Sequence, residues 1–115
     1  MDSSIVAGAA FAAAFGWFVV KPMLGRISPQ QARKLVDEGA KLVDVRTRGE
    51  FAAGHVHGAV NIPLSEIGTA VKRLAEEGKP LVLYCQSGMR SSSAARVLRK
   101  AGLVVHDLGA MSRWE

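Results

Sequence analysis

A single cysteine, Cys85, stands in a chain of 115 residues, so no internal disulfide can form and a small disulfide-stapled scaffold is excluded. The three histidines and that cysteine show no zinc-ligand spacing, and neither a metal nor a cofactor is expected. Aromatic residues are scarce (four Phe, two Trp, one Tyr), and the basic residues behind the net charge of +5 are scattered singly or in pairs. Without aromatic residues interleaved among them, nucleic acid is not expected as a partner. There is no internal repeat and no low-complexity linker. At this length only one globular domain fits.

Charge is also missing locally: residues 5–20, IVAGAAFAAAFGWFVV, carry none. Sixteen helical residues rise about 24 Å and twenty about 30 Å, so residues 5–24 reach across a hydrocarbon core if Lys21 extends its ammonium to the headgroups. The only side-chain charge ahead of the run is Asp2, whereas Lys21 and Arg26 follow it. A cleaved signal peptide wants the reverse, so residues 1–27 are expected to be a single-pass membrane anchor and short connection, with residues 28–115 cytoplasmic. A signal peptide and a helix buried in the domain are the alternatives. Gly8, Ala12 and Gly16 lie four apart on one helix face, a surface through which two anchors could form a homodimer; an Ala-rich helix also produces that spacing by chance.

Helix and strand patterns alternate from residue 28 onward. Ser28-Pro29-Gln30-Gln31 supplies an N-cap, a proline at the first helical position and a capping-box Gln, with a stop at Gly39. Leu42–Val45 reads as a first strand, Thr47–Glu50 as a second capping box, and Ala59–Ile62 as a second strand. Ser65–Glu77 looks helical and stops at Gly78. The unbroken apolar run Leu81–Tyr84 suits a central strand covered on both faces. Ser91–Ala101 is amphipathic and closes at Gly102, and Leu103–Leu108 completes the pattern as a last strand. This order implies an α/β fold with a parallel sheet flanked by helices.

In such sheets ligands bind where strands end and helices begin, which directs attention to Cys85-Gln86-Ser87-Gly88-Met89-Arg90. Backbone N–H groups of a tight loop entering a helix can surround an anion, and a helix N-terminus with a nearby arginine draws a thiol toward its nucleophilic thiolate. A small buried core thiol is the competing reading of Cys85. Ser91 has two readings as well, N-cap of the following helix or ligand.

The runs LVDVRTRGEFAAGHVHGAVNIPLSEI (Leu42 to Ile67) and LVLYCQSGMRSSSAARVLRKAGLVVHDLGAMSRW (Leu81 to Trp114) resemble a single-domain rhodanese-type sulfurtransferase over nearly all of residues 28–115. The parts that carry the resemblance are Asp44 to Arg46, Glu50-Phe51, the Gly54 to Pro63 stretch, the Cys loop and the late Gly-x-Met-x-x-Trp. The resemblance implies that Cys85 is the catalytic nucleophile and carries a persulfide. Sulfane sulfur would pass from thiosulfate, a polysulfide or a protein persulfide to a thiol or cyanide acceptor. Four residues separate Cys85 from Arg90, where phosphatase-like relatives have five. The shorter loop makes a tighter ring of N–H donors, suited to a terminal sulfur rather than a phosphoryl group.

On this basis Gln86, Ser87, Gly88, Met89, Arg90 and Ser91 are expected to form the substrate-binding loop, with Arg90 also catalytic through its fixed charge. Asp44 and Arg46, at the end of a neighbouring strand, are expected to brace the loop backbone. Many relatives carry a second arginine directly after the cysteine; Gln86 stands there, which weakens the case for small dianionic donors. His55 is expected to be structural rather than an acid–base group, and Met111 and Trp114 to cover a sheet face. A membrane-tethered persulfide carrier with little turnover of its own is the alternative reading.

Overall fold

A computed structural model describes residues 25–114. The anchor at residues 5–24 and the Gly8, Ala12, Gly16 contact lie outside the described residues. Among those described, no helix is long and apolar enough to cross a membrane.

The chain begins with α1 (Pro29–Asp37) and β1 (Lys41–Asp44) and continues through α2 (Arg48–Ala53) and β2 (Val60–Asn61). A 3-10 turn at Leu64–Glu66 leads into α3 (Ile67–Glu77), followed by β3 (Leu81–Cys85), α4 (Met89–Lys100), β4 (Val105–Ala110) and a closing 3-10 turn at Met111–Trp114. Both expected capping boxes form. Ser28 and Gln31 exchange side chain-to-backbone hydrogen bonds at the head of α1, and Thr47 and Glu50 do the same for α2, satisfying N–H groups that would otherwise lack partners.

The four strands are parallel in the order β2-β1-β3-β4. From β1 the chain moves outward to β2, returns to β3 at the other side of β1, and then moves outward again to β4. The crevice beyond the carboxyl ends of β1 and β3 is therefore the switch point of the sheet, and Cys85 is the last residue of β3. All five residues of β3 are buried, as expected for a strand covered on both faces. Alternation divides them: Leu81, Leu83 and Cys85 pack with Ala94, Ala95 and Leu98 of α4 and Leu74 of α3, whereas Val82 and Tyr84 pack with Ala32 of α1, Leu108 and the closing Met111 and Trp114. Each fully buried Leu contributes about 1.5–3 kcal/mol, so the two layers hold the strand that presents the cysteine from both sides.

Several boundaries differ from the sequence expectation. Helix α4 starts at Met89 rather than Ser91, because Gly88 turns the chain at φ +104° and admits it to the helix earlier. Ser91 is therefore inside the first turn and is not the N-cap. β4 runs past Leu108 to Ala110 through a register irregularity opposite Leu83 and Tyr84, where Gly109 (φ +93°) donates its N–H to the Asp107 carboxylate at 2.9 Å. Arg26 and Ile27, expected in the connection, are docked on the sheet: Arg26 bridges to Asp107, and Ile27 donates its N–H to the Asp107 carbonyl and is buried.

Candidate active site

Cys85 is fully buried at the end of β3, and the following turn folds back over its sulfur. The Gly88 N–H donates to Cys85 Sγ at 2.9 Å, the thiol donates to Ser91 Oγ at 3.6 Å, and Ser91 Oγ donates in turn to the Gly88 carbonyl at 3.1 Å. Ser91 lies beneath the sulfur, buried, and links it to the first turn of α4. The turn needs Gly88 itself, since its φ of +104° is strained for a residue with a Cβ.

Arg90 stands at the mouth of the loop, about one-third exposed, and makes a bidentate pair with Glu50: Nη1 to Oε1 at 2.7 Å and Nη2 to Oε2 at 3.0 Å. The fixed positive charge expected at this position is thus shared with a carboxylate. Hydrogen bonds from Arg90, with help from the Thr47 backbone, pull the Glu50 carboxyl down to about 2. Glu50 in turn raises the Arg90 guanidinium, with a further Coulombic contribution from Cys85. A depressed carboxyl gives its full contribution above its ordinary value of 4.5 and loses it as pH falls toward about 2, so the pair is intact throughout the neutral range.

Asp44 and Arg46 are both buried and tightly joined. Arg46 Nη2 donates to Asp44 Oδ2 at 2.7 Å, Arg46 Nε lies 3.0 Å from both carboxylate oxygens, and the Arg46 N–H donates to Oδ1 at 2.8 Å. The hydrogen bond to Asp44 is the main cause of the raised Arg46 guanidinium. The remaining donors reach Gln86 Oε1 at 3.2 Å and the Gly54 carbonyl at 2.7 Å. The brace therefore grips the loop through the Gln86 side chain, not through loop backbone as expected. Beneath it, Asn61 Nδ2 donates to the Asp44 and Arg46 carbonyls, both at 2.9 Å. Burial pushes the Tyr84 hydroxyl up to about 12; it stays neutral and accepts from the Val56 N–H at 3.1 Å.

Two clefts flank the loop. One, of about 480 Å³, is lined by His55, His57, Gln86, Met111, Ser112 and Trp114 among others; the other lies beside Arg90, against Thr47, Pro63, Leu64 and Ser65. His55 stacks on Phe51 with centroids 3.6 Å apart, and its Nδ1 is 2.9 Å from the Phe51 carbonyl, a local structural use. Ser87 is exposed, and Met89 lies 77% exposed on the rim and lines neither cleft. The sequence reading missed the Glu50 partnership with Arg90, the Asn61 bridge and the approach of Arg26, whose Nη2 donates to the Gly88 carbonyl at 3.1 Å.

Fold and site together define a parallel α/β protein that presents a cysteine, ringed by the first turn of a helix, at the switch point of its sheet. The chain belongs to the rhodanese-like family, whose domain matches residues 28–115. It is 34% identical over 110 residues to the uncharacterised protein YqhL of Bacillus subtilis, covering 87% of this chain and 86% of that one. It is also 38% identical over 77 residues to the thiosulfate sulfurtransferase GlpE of Pseudomonas aeruginosa, covering 67% of this chain and 69% of GlpE. Among solved structures, the human single-domain sulfurtransferase TSTD1 superimposes with a TM-score of 0.65 at 35% identity, covering 77% of this chain and 93% of TSTD1.

Proposed function

We propose that the protein is a sulfurtransferase that carries sulfane sulfur on Cys85. The observation that carries this reading is the Gly88 N–H directed at Cys85 Sγ at 2.9 Å, within a loop that leaves four residues between Cys85 and Arg90. Family membership and the likeness to GlpE and TSTD1 support it. With thiosulfate, the Cys85 thiolate attacks the outer sulfur, the S–S bond of the donor breaks, and sulfite leaves with the electron pair. Cys85 is left as a persulfide anion. A thiolate or cyanide then attacks the terminal sulfur, forms a new persulfide or thiocyanate, and returns the Cys85 thiolate. No net oxidation occurs in either step.

In this mechanism the N–H groups of the loop from Gln86 to Ser91 hold the negative charge of the terminal sulfur, which needs only a small cradle. Arg90 attracts an anionic donor from the mouth, while the Asp44–Arg46 pair keeps Gln86 in place. Two other donors, a polysulfide and a protein persulfide, fit the same chemistry, and the persulfide group carries one negative charge where thiosulfate carries two.

Intact-mass analysis of the full chain tests the proposal. Incubation with thiosulfate, or with polysulfide, should add one sulfur atom; cyanide should remove it with repeated release of thiocyanate. Loading without turnover would favour the persulfide-carrier reading, and no loading from either donor would end the sulfur-transfer reading. Arg90→Ala should raise KM for thiosulfate about tenfold while changing kcat less than about threefold, the size expected for losing one partly exposed charge contact. Steady-state kinetics check this, and an unchanged KM would remove Arg90 from donor binding.

A further inference from the structure

Two glycines with positive φ, Gly88 in the Cys loop and Gly109 in β4, come together in one notch, and the side chain that fills it is Arg26. A Cβ on Gly109 would lie 2.5 Å from Arg26 Nε and 2.6 Å from Cδ, and a Cβ on Gly88 would collide with Arg26 Nη2 and lie 2.9 Å from Cζ. The absence of both side chains is what admits the guanidinium. Its Nη2 donates to the Gly88 carbonyl at 3.1 Å, the same oxygen that receives Ser91 Oγ and the Ser92 N–H. The backbone of residue 26 is fixed as well, bridged to Asp107, whose carboxylate accepts from the Gly109 N–H.

We propose that Arg26 is a positioning residue for the reactive cysteine: by holding Gly88 from the outside, it keeps the Gly88 N–H directed at Cys85 Sγ. Gly88 carries both contacts, on the two peptide groups that meet at its Cα, with its carbonyl toward Arg26 and its N–H toward sulfur. Ser91 and Ser92 hold that carbonyl from within the helix, and Arg26 adds a hold from outside it on a glycine that has no Cβ to restrict its backbone. The role in catalysis rests on the proposed sulfur transfer; the effect on the thiol does not.

The test is Arg26→Gln in the full chain, read three ways. Alkylation of Cys85 by iodoacetamide at pH 7 should slow about three- to tenfold, as expected for weakening one charge-stabilising N–H contact. The kcat for thiosulfate should fall by a similar factor while KM stays within about twofold, since the residue acts on the nucleophile rather than on the donor. The thermal midpoint should move by less than about 4 °C. Alkylation at the wild-type rate would overturn the proposal, as would an effect on KM alone or slower alkylation accompanied by a collapse of the thermal midpoint. A wild-type protein that transfers no sulfur, but whose Arg26→Gln variant still alkylates slowly, would sink the sulfurtransferase reading and leave this inference standing.

Discussion

Replacing Cys85 by Ser is expected to lower kcat/KM for sulfur transfer at least about a thousandfold, because the hydroxyl neither ionises at neutral pH nor forms a persulfide. The fold should barely notice. A serine hydroxyl at this position can accept from the Gly88 N–H and donate to Ser91 Oγ, the two partners the thiol already has. Cys85→Ala is a useful contrast. It removes the nucleophile equally but leaves the Gly88 N–H facing a buried methyl, and a buried unsatisfied donor costs about 1–3 kcal/mol. Serine should therefore be inactive with a thermal midpoint near that of the native chain, whereas alanine should be inactive and measurably less stable. Thiocyanate release and thermal melts of the two variants provide the check. Residual turnover by Cys85→Ser above a few per cent would place the reactive group elsewhere.

The features legible in the sequence are those set by neighbours along the chain. The Ser28/Gln31 and Thr47/Glu50 capping boxes announce two helix starts because each bond spans three residues. The apolar run at Leu81–Tyr84 announces a strand buried on both faces, and the alternation of elements announces a parallel sheet with the Cys loop at its switch point. Partners in distant segments are less legible. The strand order brings Arg46 to the Cys loop but does not name Gln86 as its partner, Arg90 and Glu50 are 40 residues apart, and Arg26 and Gly88 are 62 apart. Nothing local distinguishes an arginine that meets a carboxylate across the fold from one that faces solvent. Ser91 illustrates a different limit: a serine ahead of an amphipathic run resembles an N-cap, but the positive φ of Gly88 starts the helix earlier and turns Ser91 under the sulfur. Gly109 has the same effect at β4, where its irregularity extends the strand past the expected end and opens the notch for Arg26.

The largest expected loss of stability comes from Asp44→Ala. Asp44 is fully buried and Arg46 is 3% exposed, and the carboxylate takes the Arg46 N–H together with its Nε and Nη2 donors. Without it, the guanidinium keeps only Gln86 Oε1 and the Gly54 carbonyl, and a buried charge is left uncompensated. Breaking such a pair from one side costs about 3–5 kcal/mol, a large part of the roughly 5–15 kcal/mol that holds a domain folded. The urea midpoint should fall accordingly, and sulfur transfer should fall with it as Gln86 loses its fixed partner. Asp44→Ala combined with Arg46→Met should recover part of the stability, because the double change removes both charges and leaves none buried alone. The deficit of the single variant should persist in 1 M salt, where the exposed Arg48–Glu66 pair is screened but a buried one is not. A loss below about 1 kcal/mol, or one that salt erases, would mean that water reaches the pair and that the loop is braced by something other than Asp44.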